Sequence, residues 1–117
     1  MFDLATFDIS AFEASAAEAA KLLRALGNER RLMILCQLAD GEMTVGDLMP
    51  GSGLSQSALS QHLAVLRSEG IVATRREGQS IRYRIANEAA VKVVSTLAEI
   101  FCPPDMRKSH DRQPDRS

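Results

Sequence analysis

The sequence predicts a mainly α fold carrying one β-hairpin, and three observations predict it. Apolar residues keep a helical spacing over five separate stretches of the 117-residue chain. The period changes to two only once, over residues 71–86. Glycine, proline, asparagine and aspartate fall between the stretches, where caps and turns need them. Composition agrees: 45% hydrophobic and 25% charged residues, no Trp and one Tyr suit one α-rich domain with a real core.

Residues 1–10 show no clean period and are expected to form a loose or docked arm. They hold Asp3 and Asp8 but neither Lys nor Arg, the wrong pattern for a secretory signal. No apolar run approaches the roughly 20 residues of a membrane span, so no membrane partner and a cytoplasmic location are expected. Over 11–26, Phe12, Ala16, Ala19, Leu23 and Leu26 hold a helical period, and the alanines permit close approach of another helix. Gly27 ends this helix and Asn28 caps a second, over 28–39, with Leu32, Leu35, Leu38 and Ala39 expected inward and Cys36 beside Leu32. After Asp40 and Gly41, the run TVGD at 44–47 has the capping-box pattern of a short third helix, which Pro50 and Gly51 are expected to end.

A fourth helix is expected over 54–70, capped by Ser55 and stopped by Gly70. Leu59, Leu63 and Leu66 fall on one stripe, while Gln56, Ser57, Ser60, Gln61, Ala64, Arg67 and Ser68 fall opposite. That outer face is short, hydrogen-bonding and free of acid, so it suits a DNA major groove, although an ordinary solvated face has the same composition. Residues 71–74 and 80–86 read as two strands, the second with Ile81, Tyr83 and Ile85 on one face and Arg82 and Arg84 on the other. Residues 75–79, with Arg75 and Arg76, fall at the hairpin tip. A solvated strand explains two arginines easily; four in one hairpin opposed only by Glu77 point to phosphate or a minor groove. The whole chain carries a net −1, yet residues 54–86 hold five arginines against two glutamates, and the local field is what a phosphate meets. The elements together predict a winged helix-turn-helix, in the order of four helices, two strands and a last helix.

Asn87 caps that last helix, which runs to about residue 101. Ala90, Val91, Val93, Val94, Leu97, Ala98, Ile100 and Phe101 cover more than half of its circumference, so it must be buried on two sides. One side meets the core and the other a second copy, giving a homodimer through the first and last helices with two reading heads for an inverted repeat. Residues 103–117 are polar, proline-marked and aperiodic, hence an expected disordered tail after a domain spanning 11–102. No Gly-rich phosphate loop, nucleophile elbow or informative carboxylate pair supports an enzyme.

The strings ALGNERRLMIL (25–35), TVGDL (44–48), LSQSALSQHLAVLRSEGIV (54–72) and REGQSIRYRI (76–85) resemble the ArsR/SmtB family of dimeric winged-helix repressors over about residues 11–103. The resemblance implies a repressor that holds double-stranded operator DNA and releases it when an inducer acts. It places Gln56, Ser57, Ser60 and Gln61 in the reading helix and Arg75, Arg76, Arg82 and Arg84 in the wing. Ser55, His62 and Arg67 complete the DNA-facing set, although His62 lies by helical angle at the margin of the apolar face, where a structural hydrogen bond is favoured. The metal sensors of the family carry a cysteine pair where this chain has Thr44, Val45, Gly46 and Asp47, or an Asp-x-His pair where it has Val91, Lys92 and Val93. No metal or other cofactor is therefore expected, because two lone cysteines do not close a zinc site.

Taken alone, Cys36 and Cys102 read as small hydrophobes at apolar margins. The strings ERRLMILCQL and EIFCPP resemble a sulfide- and persulfide-responsive subgroup of the family, with one cysteine on the second helix and one closing the last. That resemblance implies a reduced dithiol that binds DNA and a sulfur-bridged form that lets go. A broader thiol-oxidation switch, and an arsenite or Cu(I) site shared with a neighbouring subunit, stay open. Arg30 and Arg31 share a helix with Cys36 and would favour its thiolate if they faced it.

Overall fold

The computed structural model describes residues 8–102. Within them lie α1 (Ile9–Glu13), α2 (Ala16–Leu26), α3 (Glu29–Leu38), β1 (Met43–Thr44), α4 (Val45–Ser52), α5 (Gln56–Ser68), β2 (Val72–Glu77), β3 (Ser80–Ile85) and α6 (Glu88–Phe101). The strands form one antiparallel sheet in the order β1-β3-β2. No helix among the described residues is long and apolar enough to cross a membrane. The residues assigned to a C-terminal tail, and most of the N-terminal arm, lie outside the described residues.

The core sits where α3, α4, α5 and the base of the hairpin converge. Leu59, Leu63 and Leu66 of α5 are fully buried, together with Ile34 and Leu35 of α3, Leu48 of α4 and Ile71 ahead of β2. Ala25 and Leu26 close it from α2, and Ala90 and Val94 from α6. The expected inward set of α3 needs one correction. Ala39 is exposed just past the helix, and Ile34, one position before Leu35, takes the place in the core.

Helix starts follow the local capping chemistry. Asn28 Oδ1 accepts from the Arg30 and Arg31 amides at 2.9 and 3.0 Å, Ser55 Oγ from Ala58 at 3.1 Å, and Asn87 Oδ1 from Ala90 at 3.0 Å. Thr44 and Asp47 form a full capping box, each side chain accepting from the other's backbone N–H at 3.1 Å. At the far end of α5 the Ile71 N–H reaches Leu66 O and the Gly70 N–H reaches Arg67 O. This paired closure needs a left-handed residue, which Gly70 supplies at φ 76°.

Four further expectations are corrected. The first helix is broken at Ala14 and Ser15, because Asp8 starts a separate turn by accepting from Ala11 and the Ser15 N–H closes tightly on Phe12 O. Pro50 does not end α4 but lies inside it, and the chain turns at Gly53 with φ 71°. The bond Pro50 cannot donate would go to Gly46, which is exposed and can give its carbonyl to water. A third strand, β1, pairs Met43 with Tyr83 and Thr44 with Arg82. Finally, β2 runs on to Glu77, which pairs with Ser80, so the tip is only Gly78 and Gln79. Positive φ at Gly78 alone fits a two-residue hairpin turn with glycine first.

The turn between α4 and α5 is stitched by side chains. Ser52, buried, donates to Met49 O at 2.9 Å and accepts from the Leu54 N–H at 3.0 Å, while Arg30 Nη1 donates to Ser52 O at 3.4 Å. A Cβ at Gly53 would lie 2.7 Å from that Nη1, whereas one at Gly70 would meet nothing within 4 Å. Gly70→Ala should therefore cost only the left-handed penalty, about 1–2 kcal/mol. Gly53→Ala should cost about 1 kcal/mol more, through the lost Arg30 bond. Urea unfolding at fixed protein concentration measures both, and equal losses would show that Arg30 does not hold this turn.

Candidate nucleic-acid interface

Burial of the leucine stripe leaves the opposite side of α5 in water. Ser55, Gln56, Ser57, Ser60, Gln61, Ala64, Arg67 and Ser68 are all exposed, as the periodicity predicts. His62 is placed differently. It is half-buried, and its Nδ1 lies 3.5 Å from Nη1 of Arg31. Arg31 itself donates through Nε to Ala25 O at 2.6 Å and through Nη2 to Arg24 O at 3.3 Å. One guanidinium thus covers the orphan carbonyls at the end of α2 and meets α5 from behind.

Strand register divides the four wing arginines. Arg75 stands opposite Arg82, and Ala73 opposite Arg84, so Arg75, Arg82 and Arg84 share one face. Arg76 stands opposite Ile81, on the other face with Thr74 and Tyr83. Tyr83 lines a 420 Å³ groove with Ser60, Ala64, Arg67 and Ser68 of α5. The face of the hairpin turned toward the reading helix therefore carries Arg76 alone, and its Nε donates to Gly78 O at 3.2 Å. Tyr83 and Ser52 were not singled out from the sequence as site residues; the alternation of β3 places Tyr83 on the apolar face, but only the fold brings that face to α5.

The outer face is largely occupied. Arg75 donates to Glu42 through Nε, at 3.0 and 3.1 Å to the two carboxylate oxygens, and through Nη2 at 2.7 Å. Arg82 Nε donates to Glu77 Oε1, which also lies 3.8 Å from Arg75. Hydrogen bonding to Arg75, helped by the charges of Arg75, Arg84 and Arg82, holds the Glu42 carboxyl below the usual glutamate range. Among the described residues Arg76 and Arg84 have no ion pair.

A second feature lies away from this surface. Cys36 and Cys102 line one apolar groove of 280 Å³ with Leu32, Val94, Leu97 and Phe101. Both thiols are free and exposed in the single chain. Partial burial against these walls, then the charge of Cys102, pushes the Cys36 thiol up. The help that Arg30 and Arg31 would give by facing Cys36 is absent, because both guanidinium groups are turned to backbone carbonyls at the ends of α4 and α2. No group of three or more His, Cys, Asp or Glu able to hold a metal occurs among the described residues.

Comparison with known proteins agrees with this geometry. The family model described as bacterial regulatory protein, arsR family, matches residues 28–74, the run from α3 into β2. The transcriptional activator HlyU of Vibrio cholerae is 48% identical over 84 residues, 72% of this chain and 78% of that protein. The crystal structure of the transcriptional repressor BigR from Xylella fastidiosa superposes with a TM-score of 0.77 at 43% identity, over 82% of this chain and 98% of that one. A homodimeric winged helix-turn-helix DNA-binding domain from Mycobacterium bovis gives a TM-score of 0.67 at 32% identity, over 84% and 93% of the two chains. With an exposed polar face on α5, an arginine-bearing hairpin and a relative 48% identical over 78% of its own length, the chain belongs to the ArsR family of bacterial DNA-binding transcriptional regulators.

Proposed function

We propose that the protein is a dimeric repressor in the bacterial cytoplasm that holds inverted-repeat operator DNA while its thiols are reduced, and releases it when reactive sulfur species bridge Cys36 and Cys102. The observation that carries the sensing is the shared groove: two cysteines 66 positions apart in sequence line one apolar wall, close enough for the charge of one to act on the other. Dimerisation draws its support from the apolar side chains that one chain leaves open. Ile9 is 72% exposed and Leu23 61% on the N-terminal helices, and Ile100 is 62% and Phe101 74% exposed on α6. A second copy covers them and sets two α5 helices side by side.

In the proposed chemistry, a cysteine thiolate attacks the outer sulfur of a persulfide RSSH, takes that sulfur and releases RS⁻. The second thiolate then attacks the inner sulfur of the new cysteine persulfide and expels HS⁻, closing a disulfide; the two thiols are oxidised and the donor is reduced to RSH and hydrogen sulfide. Each further donor that first extends the chain adds one sulfur and leaves as RSH. A bridge so lengthened spans thiols too far apart for a simple disulfide. The signal has a path to DNA, because α3 carries Cys36 and also the arginines that hold the α4–α5 turn and meet His62.

Three results would test this reading. Intact mass after glutathione persulfide should rise by about 32 per added sulfur, less two hydrogens. Affinity for duplexes selected from a random pool should fall in the same samples, with Cys36→Ser and Cys102→Ser each abolishing the response. An equal response to hydrogen peroxide would make the pair a general thiol switch, and no response would return both cysteines to packing. In the Cys102→Ser variant, where Cys36 is the sole cysteine, alkylation should still be accelerating at about pH 9, where an ordinary thiol is levelling off, because burial raises the thiol pKa and keeps the thiolate scarce. On the DNA side, Gln56→Ala should reorder preference among duplexes by up to about tenfold. Arg76→Ala should weaken all of them and lower the log–log salt slope by about 0.9.

A further inference from the structure

We infer that Glu42 and Glu77 are internal competitors for DNA phosphate, holding two of the three outer wing arginines in reserve and so limiting affinity for unrelated DNA. The inference rests on the DNA-binding reading and adds a pair of specificity-determining carboxylates to it. The Nε–Nη2 edge of arginine is the one that clamps a phosphate or a carboxylate with two parallel bonds. In Arg75 that edge is taken by Glu42, Nε donating to Oε2 at 3.1 Å and Nη2 to Oε1 at 2.7 Å. In Arg82 the Nε is taken by Glu77. Three arginines and two paired carboxylates leave one net positive charge on this face, where the bare arginines would present three.

Glu42 stands outside the hairpin, 33 positions before Arg75, and its side chain is only 27% exposed, so the competing carboxylate is built into the body of the domain. Glu77 belongs to the hairpin itself. Its side chain is 56% exposed and touches both arginines. A phosphate that engages either arginine through its Nε edge must displace a charge-assisted pair, and it gains little when nothing else in the complex is favourable. On a cognate site, the contacts of α5 hold the wing close long enough for that exchange. Non-specific affinity, which rests almost wholly on phosphate contacts, bears the greater loss.

Full-length protein would be titrated with an unrelated 20-base-pair duplex (about two helical turns) and with a duplex selected from a random pool, across a salt series. Glu42→Gln should bind the unrelated duplex several-fold more tightly and steepen its salt slope by about 0.9, as one more phosphate is engaged. The ratio of selected to unrelated affinity should fall. Glu99→Gln, the same charge change on α6 away from the wing, sets the contribution of bulk charge. A Glu42→Gln effect no larger than that of Glu99→Gln, or weaker binding of both duplexes, would overturn the inference. Should thermal melting show that Glu42→Gln loosens the domain, Glu77→Gln carries the same test, since its pair lies on the hairpin. Wild-type protein that binds neither duplex would sink the DNA-binding reading itself, a result separate from a normal wild type with unresponsive variants.

Discussion

Burial of one leucine stripe governs this structure. Leu59, Leu63 and Leu66 meet Ile34 and Leu35 from α3 and Leu48 from α4, and none of the six is more than 1% exposed. Each such side chain contributes about 1.5–3 kcal/mol when it leaves water. With the stripe fixed, a helix has no freedom over its other side: Gln56, Ser57, Ser60, Gln61 and Arg67 must face out. The closure at Gly70 then passes the chain to Ile71, itself buried, so the same packing that aims the helix also sets where the hairpin begins. The exposed face of α5 and the position of the hairpin are consequences of one core.

Helix α3 joins that core to the rest of the molecule. Its inner side supplies Ile34, Leu35 and Leu38; its edge toward α6 carries Cys36; its first turn carries Arg30 and Arg31. Arg30 holds the turn into α5, and Arg31 holds the end of α2 and faces His62. Close-packed interiors shift between discrete arrangements more readily than they deform continuously. If a bridge changed the spacing of α3 and α6 by moving α3, it would strain these guanidinium contacts or carry α5 with it.

What the sequence disclosed depended on the range of the interaction. The caps at Asn28, Thr44, Ser55 and Asn87 and the stop at Gly70 are legible because a cap involves a side chain and a backbone group within a turn. The stripes of α5 and α6 are legible because periodicity survives any arrangement of the neighbours. By contrast β1 is two residues long, too short for a period, and exists because β3 offers Met43 and Thr44 an edge. The apolar residues of α2 show a face but not what covers it, and Leu23 proves open in one chain. Arg75 and Arg76 look equivalent as neighbours in sequence. Shortening the tip to Gly78 and Gln79 puts them on strands, where adjacent residues point to opposite faces. Glu42 gave no signal at all, since its partner lies 33 residues on.

The groove around the cysteines bears on which oxidant suits them. Its walls are Leu32, Val94, Leu97, Ala98 and Phe101, and Arg30 and Arg31 point away from it. Peroxide would leave a sulfenic acid on one thiol, a hydroxyl group that these walls offer no polar partner. Both thiols are exposed in the single chain, so water meets that hydroxyl there, and the cost of about 1–3 kcal/mol for an unpaired one would arise only in a groove closed by a second copy. A chain of sulfur atoms is apolar and polarisable and meets no such penalty. The raised Cys36 thiol does not separate the two oxidants, because a scarce thiolate slows reaction with either and its higher basicity makes it the stronger nucleophile toward both. What distinguishes an electrophilic sulfur is its fit to apolar, polarisable walls. On the proposed sensing role, this apolar lining would suit a sulfur bridge better than an oxygen adduct before any specific recognition of the donor is invoked.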